Sequence, residues 1–192
     1  MKKTIWIATS NAHKIEEFAE MLGDEVTIKS FKDLEEPVDV VENGTSFQEN
    51  ARIKARALYN IVHEPVFADD SGLEVDAMDK APGIYSARFL GEDTDYTIKN
   101  QYILDQVEGK DRTARYVCAI AFIDQNGEES VYEATIEGKI APSPIGTNGF
   151  GYDPIFYYPP FGTTLANVSE EKKNQVSHRG KALREFLKEG KL

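Results

Sequence analysis

Two long β-type stretches constrain this chain most. Residues 113–123 and 128–140 read as strands, and Asp124-Gln125-Asn126-Gly127 between them carries the Asn-Gly signal of a β-hairpin. Strands of eleven or more residues demand an elongated sheet. The earlier part of the chain alternates instead. Residues 4–9 are apolar and β-branched and read as a buried strand. Ile15, Phe18, Ala19 and Leu22 then recur at helical spacing, with Gly23 as the stop, and Val26 to Phe31 reads as a second strand. A helix-and-strand alternation followed by a hairpin predicts an α/β protein with a mixed sheet.

The remaining segments fit that frame. Residues 32–44 contain Pro37 and Gly44 and read as a loop or edge segment. Ser46-Phe47-Gln48-Glu49 matches a capping box, opening a helix to about Val62 with Phe47, Ala51, Ala55, Leu58 and Val62 toward the core. Pro65 to Ala68 is a short strand closed by Asp69-Asp70-Ser71-Gly72, which Leu73 to Val75 extend in an alternative reading. Residues 79–91 are a loop. Thr94 to Val107 is a helix anchored by Tyr96, Tyr102, Ile103 and Val107. Residues 141–163 are loop-rich. Ser177 caps a last helix to about Lys188, with Ala182, Leu183, Phe186 and Leu187 on one face. No internal repeat and no low-complexity tail is visible.

With 192 residues the chain suits one domain, 1–192, able to bury roughly 70% of its unfolded surface. Its 22 basic and 33 acidic residues leave a net charge of −11, which disfavours a nucleic-acid-binding face or attachment to anionic lipid. A small anionic ligand in a locally basic pocket remains compatible with it. The longest apolar run, Val117 to Ile123, falls short of the ~20 residues of a membrane span. The apolar stretch after Lys2-Lys3 is too brief for a signal peptide. Cys118 is the lone cysteine, which excludes an internal disulfide and suits a reducing, cytoplasmic setting.

Five segments carry polar groups suited to chemistry, and each also has a plain structural reading. Thr9-Ser10-Asn11-Ala12-His13-Lys14 lies at a strand-to-helix junction, where open backbone N–H groups and the helix dipole favour phosphate. The plain reading is a capped helix with an exposed lysine. Asp69-Asp70-Ser71-Gly72 offers two carboxylates pointing to opposite faces of a strand, or else a solvated turn. Glu42 is either solvated or, with Asp70, a holder for a hard cation. Gly149-Phe150-Gly151-Tyr152-Asp153 offers close backbone approach, flat aromatic faces for a base, and an acceptor for a ring N–H or a ribose; it also reads as a Gly-rich turn over core aromatics. Lys172-Lys173 and Ser177-His178-Arg179 form a basic island at the start of a helix, where cations oppose the dipole and an anionic ligand would compensate. Taken together, these describe a nucleoside triphosphate site. Asp70 would repel a triphosphate unless a cation intervened, so the combination calls for Mg²⁺.

The same residues, in order, resemble the inosine/xanthosine triphosphate pyrophosphatases, which hydrolyse non-canonical purine nucleotides. Thr9 to Lys14 looks like the T/S-x-N-x-x-K signature of that family, and Ser46 to Ala55 is similar to its TFxENAxxKA helix. Ala68 to Leu73, Pro82 to Arg88, Gly149 to Pro154 and Ser177-His178-Arg179 complete the series over nearly the whole chain. Val41 stands where many relatives carry an acid, and His13 where many carry glycine. The resemblance implies an elongated mixed sheet flanked by helices, in two lobes with a central nucleotide cleft. It implies hydrolysis of dITP, ITP and XTP to the monophosphate and pyrophosphate, with Mg²⁺ and as a homodimer. By the same resemblance Thr9, Ser10, Asn11, Ala12, His13 and Lys14 hold phosphates, Asp70 is proton acceptor and metal ligand with Glu42, and Ser71 touches substrate. Phe150, Gly151, Tyr152, Asp153, Lys173, His178 and Arg179 line the nucleotide pocket.

Selectivity follows from hydrogen-bond polarity. Hypoxanthine and xanthine present a 6-oxo acceptor where adenine presents a 6-amino donor, so a donor from His178 or Arg179 matches only the former. Two other readings stay open at this level: a non-catalytic purine nucleotide sensor, and a pyrophosphatase for other modified nucleotides.

Overall fold

The structure is a computed structural model describing residues 3–190. Among these residues the chain forms one mixed sheet of seven strands and five α-helices. In chain order these are β1 (Lys3–Ile7), α1 (Ala12–Leu22), β2 (Val26–Ser30), α2 (Phe47–Val62), β3 (Val66–Val75), α3 (Tyr96–Val107), β4 (Thr113–Ile123), β5 (Glu129–Ile140), β6 (Phe156–Tyr158), β7 (Thr163–Thr164), α4 (Glu170–Val176) and α5 (His178–Lys188). The sheet order is β2-β1-β3-β4-β5-β6-β7. Strand β1 pairs in parallel with both β2 and β3, whereas β6 pairs antiparallel with β5 and β7. No helix among the described residues is long and apolar enough to cross a membrane.

The chain divides into two compact units. The first comprises the chain up to Asp70, Cys118–Ala134, and Arg179 onward; the second comprises Ser71–Val117 and Thr135–His178. In the first, Ile5 and Ile7 of β1, Phe67 of β3, and Cys118, Ile120 and Phe122 of β4 meet Phe18 of α1 and Ala182, Leu183 and Phe186 of α5. Each fully buried large side chain there is worth roughly 1.5–3 kcal/mol. Strand β1 is apolar at consecutive positions because it lies inside a parallel array. The edge strand β2 alternates partly buried and exposed residues. In the second unit Leu73, Val75, Ile103, Val107, Ile136, Ile140, Ile155 and Phe156 form a separate core.

Several expectations are corrected. Asp69-Asp70-Ser71-Gly72 does not close a strand: β3 runs unbroken for ten residues, nearly all buried, so strand pairing overrides the turn chemistry of Ser71-Gly72. On α1 the buried face is Glu17 and Phe18, and Ala19 is exposed. On α3 the buried face is Lys99, Asn100, Ile103, Leu104 and Val107, which leaves Tyr102 40% exposed. Leu187 of α5 is likewise exposed. The capping box is half as expected. Ser46 accepts from Glu49 N, but the Glu49 carboxylate takes the N–H and hydroxyl of Thr45. Residues 141–163 contain β6, and α4, capped by Ser169, lies in a stretch given no helix from the sequence.

Candidate active site

In the first unit, five charged residues expected from the sequence, Lys14, Glu42, Asp69, Asp70 and Arg179, gather with two given no site role there, Glu17 and Lys54. Asn11 caps α1, its Oδ1 accepting from His13 N and Lys14 N, and the Thr9 hydroxyl accepts from Asn11 N. Ser10, Asn11, Ala12 and His13 are exposed at this junction, and Thr9 is buried. The Asn11 cap points Lys14 back along the helix start, where its Nζ lies 3.0 Å from Asp69 Oδ2. The same oxygen takes Arg179 Nε at 3.4 Å, and the Arg179 guanidinium also donates to Glu17. Glu17, Asp69 and Arg179 are all buried.

Asp70 is the next residue of β3, so its side chain leaves the opposite face of the strand. Its Oδ1 lies 3.4 Å from Lys54 Nζ, which also meets Glu42 Oε1 at 3.0 Å. One ammonium therefore sits on both carboxylates that the sequence suggested as cation ligands. Lys54 occupies the apolar stripe of α2, among Phe47, Ala51, Ala55 and Leu58. The loop bearing Glu42 is tied to the same helix, because Gly44 N donates to Asn50 Oδ1 at 2.8 Å. A Cβ at Gly44 would lie 2.7 Å from that oxygen.

The two neighbouring aspartates are opposite in acidity. Burial works to raise Asp69, yet Lys14 and Arg179 hold it well below the usual carboxylate range. Burial pushes Asp70 up to about 6, helped by Glu42 and Asp69 and opposed by Lys54 and Lys14. A carboxylate poised near neutrality is suited to taking a proton. Burial works against the Lys54 ammonium, but Asp69, Asp70 and Glu42 raise it on balance, so it is a fixed cation.

Asp70 Oδ2 is buried without a hydrogen-bond partner. Such a hard anionic oxygen fits a divalent cation of the Mg²⁺ type. Among the described residues no group of three or more His, Cys, Asp or Glu side chains is arranged to hold a metal ion alone. Glu42 and Asp70 therefore suit a cation whose other ligands come from water or a bound anion.

A second cluster lies in the other unit. Asp153 is buried, and its Oδ2 accepts from Lys173 Nζ at 2.7 Å and from Phe150 N at 3.0 Å. Its Oδ1 accepts from the Tyr116 hydroxyl at 3.0 Å. The acceptor capacity that the sequence reading offered to a ligand thus already serves three protein donors. Lys173 Nζ lies 4.9 Å from the centre of the Phe150 ring, which is only partly buried. Gly149 makes this compact loop possible: it has φ +67°, and a Cβ there would come within 2.3 Å of Asp153 Oδ2. Tyr152 is buried and its hydroxyl donates to the Ser86 carbonyl, while Asn100 Nδ2 donates to the Gly151 carbonyl. His178 stacks on Tyr116. Ser71 is partly buried at the start of this unit.

Glu17, Lys54 and Tyr116 were given no site role from the sequence, whereas Asp69 was visible as the partner of Asp70. Of the three, only Lys54 left a local signal, a lysine inside an apolar helical stripe.

Comparison with known proteins places this arrangement in a family. A model of the Ham1 family matches residues 5–189. A dITP/XTP pyrophosphatase of Geobacillus kaustophilus is 46% identical over 94% of this chain and 91% of its own length. A dITP/XTP pyrophosphatase of Listeria monocytogenes is 42% identical over 98% and 95%. The solved structure of the Staphylococcus aureus Ham1 protein superposes with a TM-score of 0.87 at 40% identity, covering 98% of this chain and all of that one.

Proposed function

The chain belongs to the Ham1 family, and from that premise we infer a nucleoside triphosphate pyrophosphatase. It hydrolyses non-canonical purine nucleoside triphosphates such as dITP, ITP and XTP, cutting an acid anhydride bond to give the monophosphate and pyrophosphate. The observation that most supports a catalytic rather than a merely binding role is Asp70: a buried carboxylate raised to about 6, with one oxygen unpartnered, beside Lys54 and Lys14.

Asp70 accepts the proton of an attacking water as the new bond to the α-phosphorus forms and the bond to the bridging oxygen of pyrophosphate breaks. Lys14 and the α1 junction, from Thr9 through His13, hold phosphate oxygens, and Lys14 balances charge on the departing pyrophosphate. Ser71 touches substrate. Glu42 and Asp70 hold a divalent cation, read as Mg²⁺, which when bound neutralises phosphate charge. In base recognition, Phe150 with the Gly151-Tyr152 backbone gives a stacking surface, Asp153 holds Lys173 in place, and His178 donates to a 6-oxo group. Arg179, buried on Glu17 and Asp69, acts chiefly by fixing Asp69.

Further features complete the reading. The unbroken family match supports a single functional domain over 1–192. The net charge of −11 speaks against nucleic-acid or membrane partners. The lone Cys118 is buried and unpaired, in keeping with a reducing cytoplasm. On α3 Ile98 and Tyr102 lie one turn apart and are 59% and 40% exposed, and Tyr102 meets Phe89 edge-on. Such an apolar surface supports a homodimer through the second unit. Sedimentation should give a dimer that Ile98→Asp splits; a wild-type monomer would refute this part.

The decisive assay is pyrophosphate release from ITP, dITP, XTP, ATP, GTP and modified pyrimidine triphosphates, each with and without Mg²⁺. Mg²⁺-dependent release from the 6-oxo purine substrates, with ATP spared, is expected. Equal hydrolysis of ATP would overturn the selectivity, and tight ITP binding without release would return the sensor reading.

A further inference from the structure

Tyr116 of β4 is a core residue by position, yet it carries a hydroxyl where a phenyl ring would fill the same space. It is only 6% exposed. Its ring is held between two others: Phe156 at 4.4 Å between centroids with a 31° tilt, and the imidazole of His178 at 4.6 Å and 18°. Its hydroxyl donates to Asp153 Oδ1, while the other Asp153 oxygen collects Lys173 Nζ and Phe150 N.

We propose that Tyr116 is a positioning residue for purine recognition, setting the plane of His178 with its ring and the pose of the Phe150–Lys173 loop through its hydroxyl on Asp153. The proposal rests on the base-recognition reading given above and adds a residue to it. A near-parallel stack fixes the plane in which the imidazole N–H groups lie, because tilting either ring out of it breaks the contact. Asp153 held from one oxygen only can pivot about that oxygen. Holding the second oxygen removes this freedom, and with it the freedom of the Phe150 amide and of Lys173. Hydrogen bonds to a buried carboxylate are among the stronger ones, and losing the donor leaves that carboxylate underserved. The effect therefore belongs in substrate affinity and discrimination.

The test is Tyr116→Phe, which keeps the stack and removes the hydroxyl, assayed on ITP, XTP and ATP. KM for ITP should rise about tenfold with kcat within twofold of wild type, and the preference for ITP over ATP should fall. Tyr116→Leu, which also removes the stack, should lose more of that preference; where it does not fold, Tyr116→Phe alone decides. Unchanged KM and preference in Tyr116→Phe, or a fall in kcat with KM unaltered, overturns the proposal. Wild-type protein that turns over ATP as readily as ITP would sink the base-recognition reading itself, and the proposal with it, before any variant is compared.

Discussion

Asp70→Asn should slow turnover by at least ~100-fold and yet make the folded protein more stable. Both effects come from one property. Asp70 is 7% exposed, and its carboxyl sits at about 6 when folded, against about 3.9 in an unfolded chain. A raised value means that the folded state binds the proton more tightly than the unfolded one. Ionised Asp70 is therefore a cost to folding, fully present above pH 6. It shrinks as pH falls through 6 toward 4 and vanishes below the unfolded value. The two-unit difference corresponds to about 3 kcal/mol at neutral pH. Asparagine has the shape without the charge and should recover a good part of that. For a chain of this size, each kcal/mol moves Tm by roughly 2–4 °C. Thermal unfolding of metal-free wild type and Asp70→Asn at pH 7.5 and pH 5 checks this, with the gap closing at the lower pH. Unchanged turnover would remove Asp70 from catalysis. A variant less stable at pH 7.5 would remove the strain argument.

The long elements were legible because they rest on periodicity. The α1, α2 and α3 patterns and the β4–β5 hairpin emerge within a few residues of their observed ends. In the hairpin Asp124 Oδ1 accepts from Asn126 N and Glu128 N, and Gly127 alone takes a positive φ. What stayed hidden was decided by distant partners. Glu17 and Arg179 are 162 positions apart, and nothing near either marks one as buried. A glutamate on an amphipathic helix is ordinarily solvated. The rotated face of α1 has the same cause, because Arg179 draws Glu17 inward. Asp69 and Asp70 were visible as a pair, but which one is neutralised depends on Lys14 and Lys54 from separate helices. Tyr116 looked like any apolar strand residue, since its hydroxyl matters only once Asp153 is beside it.

The other large effect concerns Arg179, and there the sign is the reverse of Asp70. Arg179→Leu removes the cation shared by Glu17 and Asp69 and leaves Asp69 its pair with Lys14, and breaking a buried ion pair by removing one partner typically costs 3–5 kcal/mol. Total stability for a domain is only about 5–15 kcal/mol, so the variant should be marginal in urea. Asp69 supplies the pH signature. Its folded value is depressed, so its contribution is present above the unfolded value near 3.9 and is lost as pH falls through the folded one. Without Arg179 that depression shrinks, and acid unfolding should begin at higher pH than in wild type. Pairing the change with Glu17→Gln removes the carboxylate that Arg179 faced and should restore more than half of the lost stability, a non-additivity read directly from a double-mutant cycle. A loss under ~1 kcal/mol in Arg179→Leu, or strict additivity with Glu17→Gln, would refute the buried network. The double variant then isolates what Arg179 contributes to catalysis. Pinning Asp69 on one face of β3 also fixes the direction in which Asp70 leaves the other face. Activity lost from a folded double variant therefore measures how far turnover depends on Arg179 and on the Asp69 it fixes.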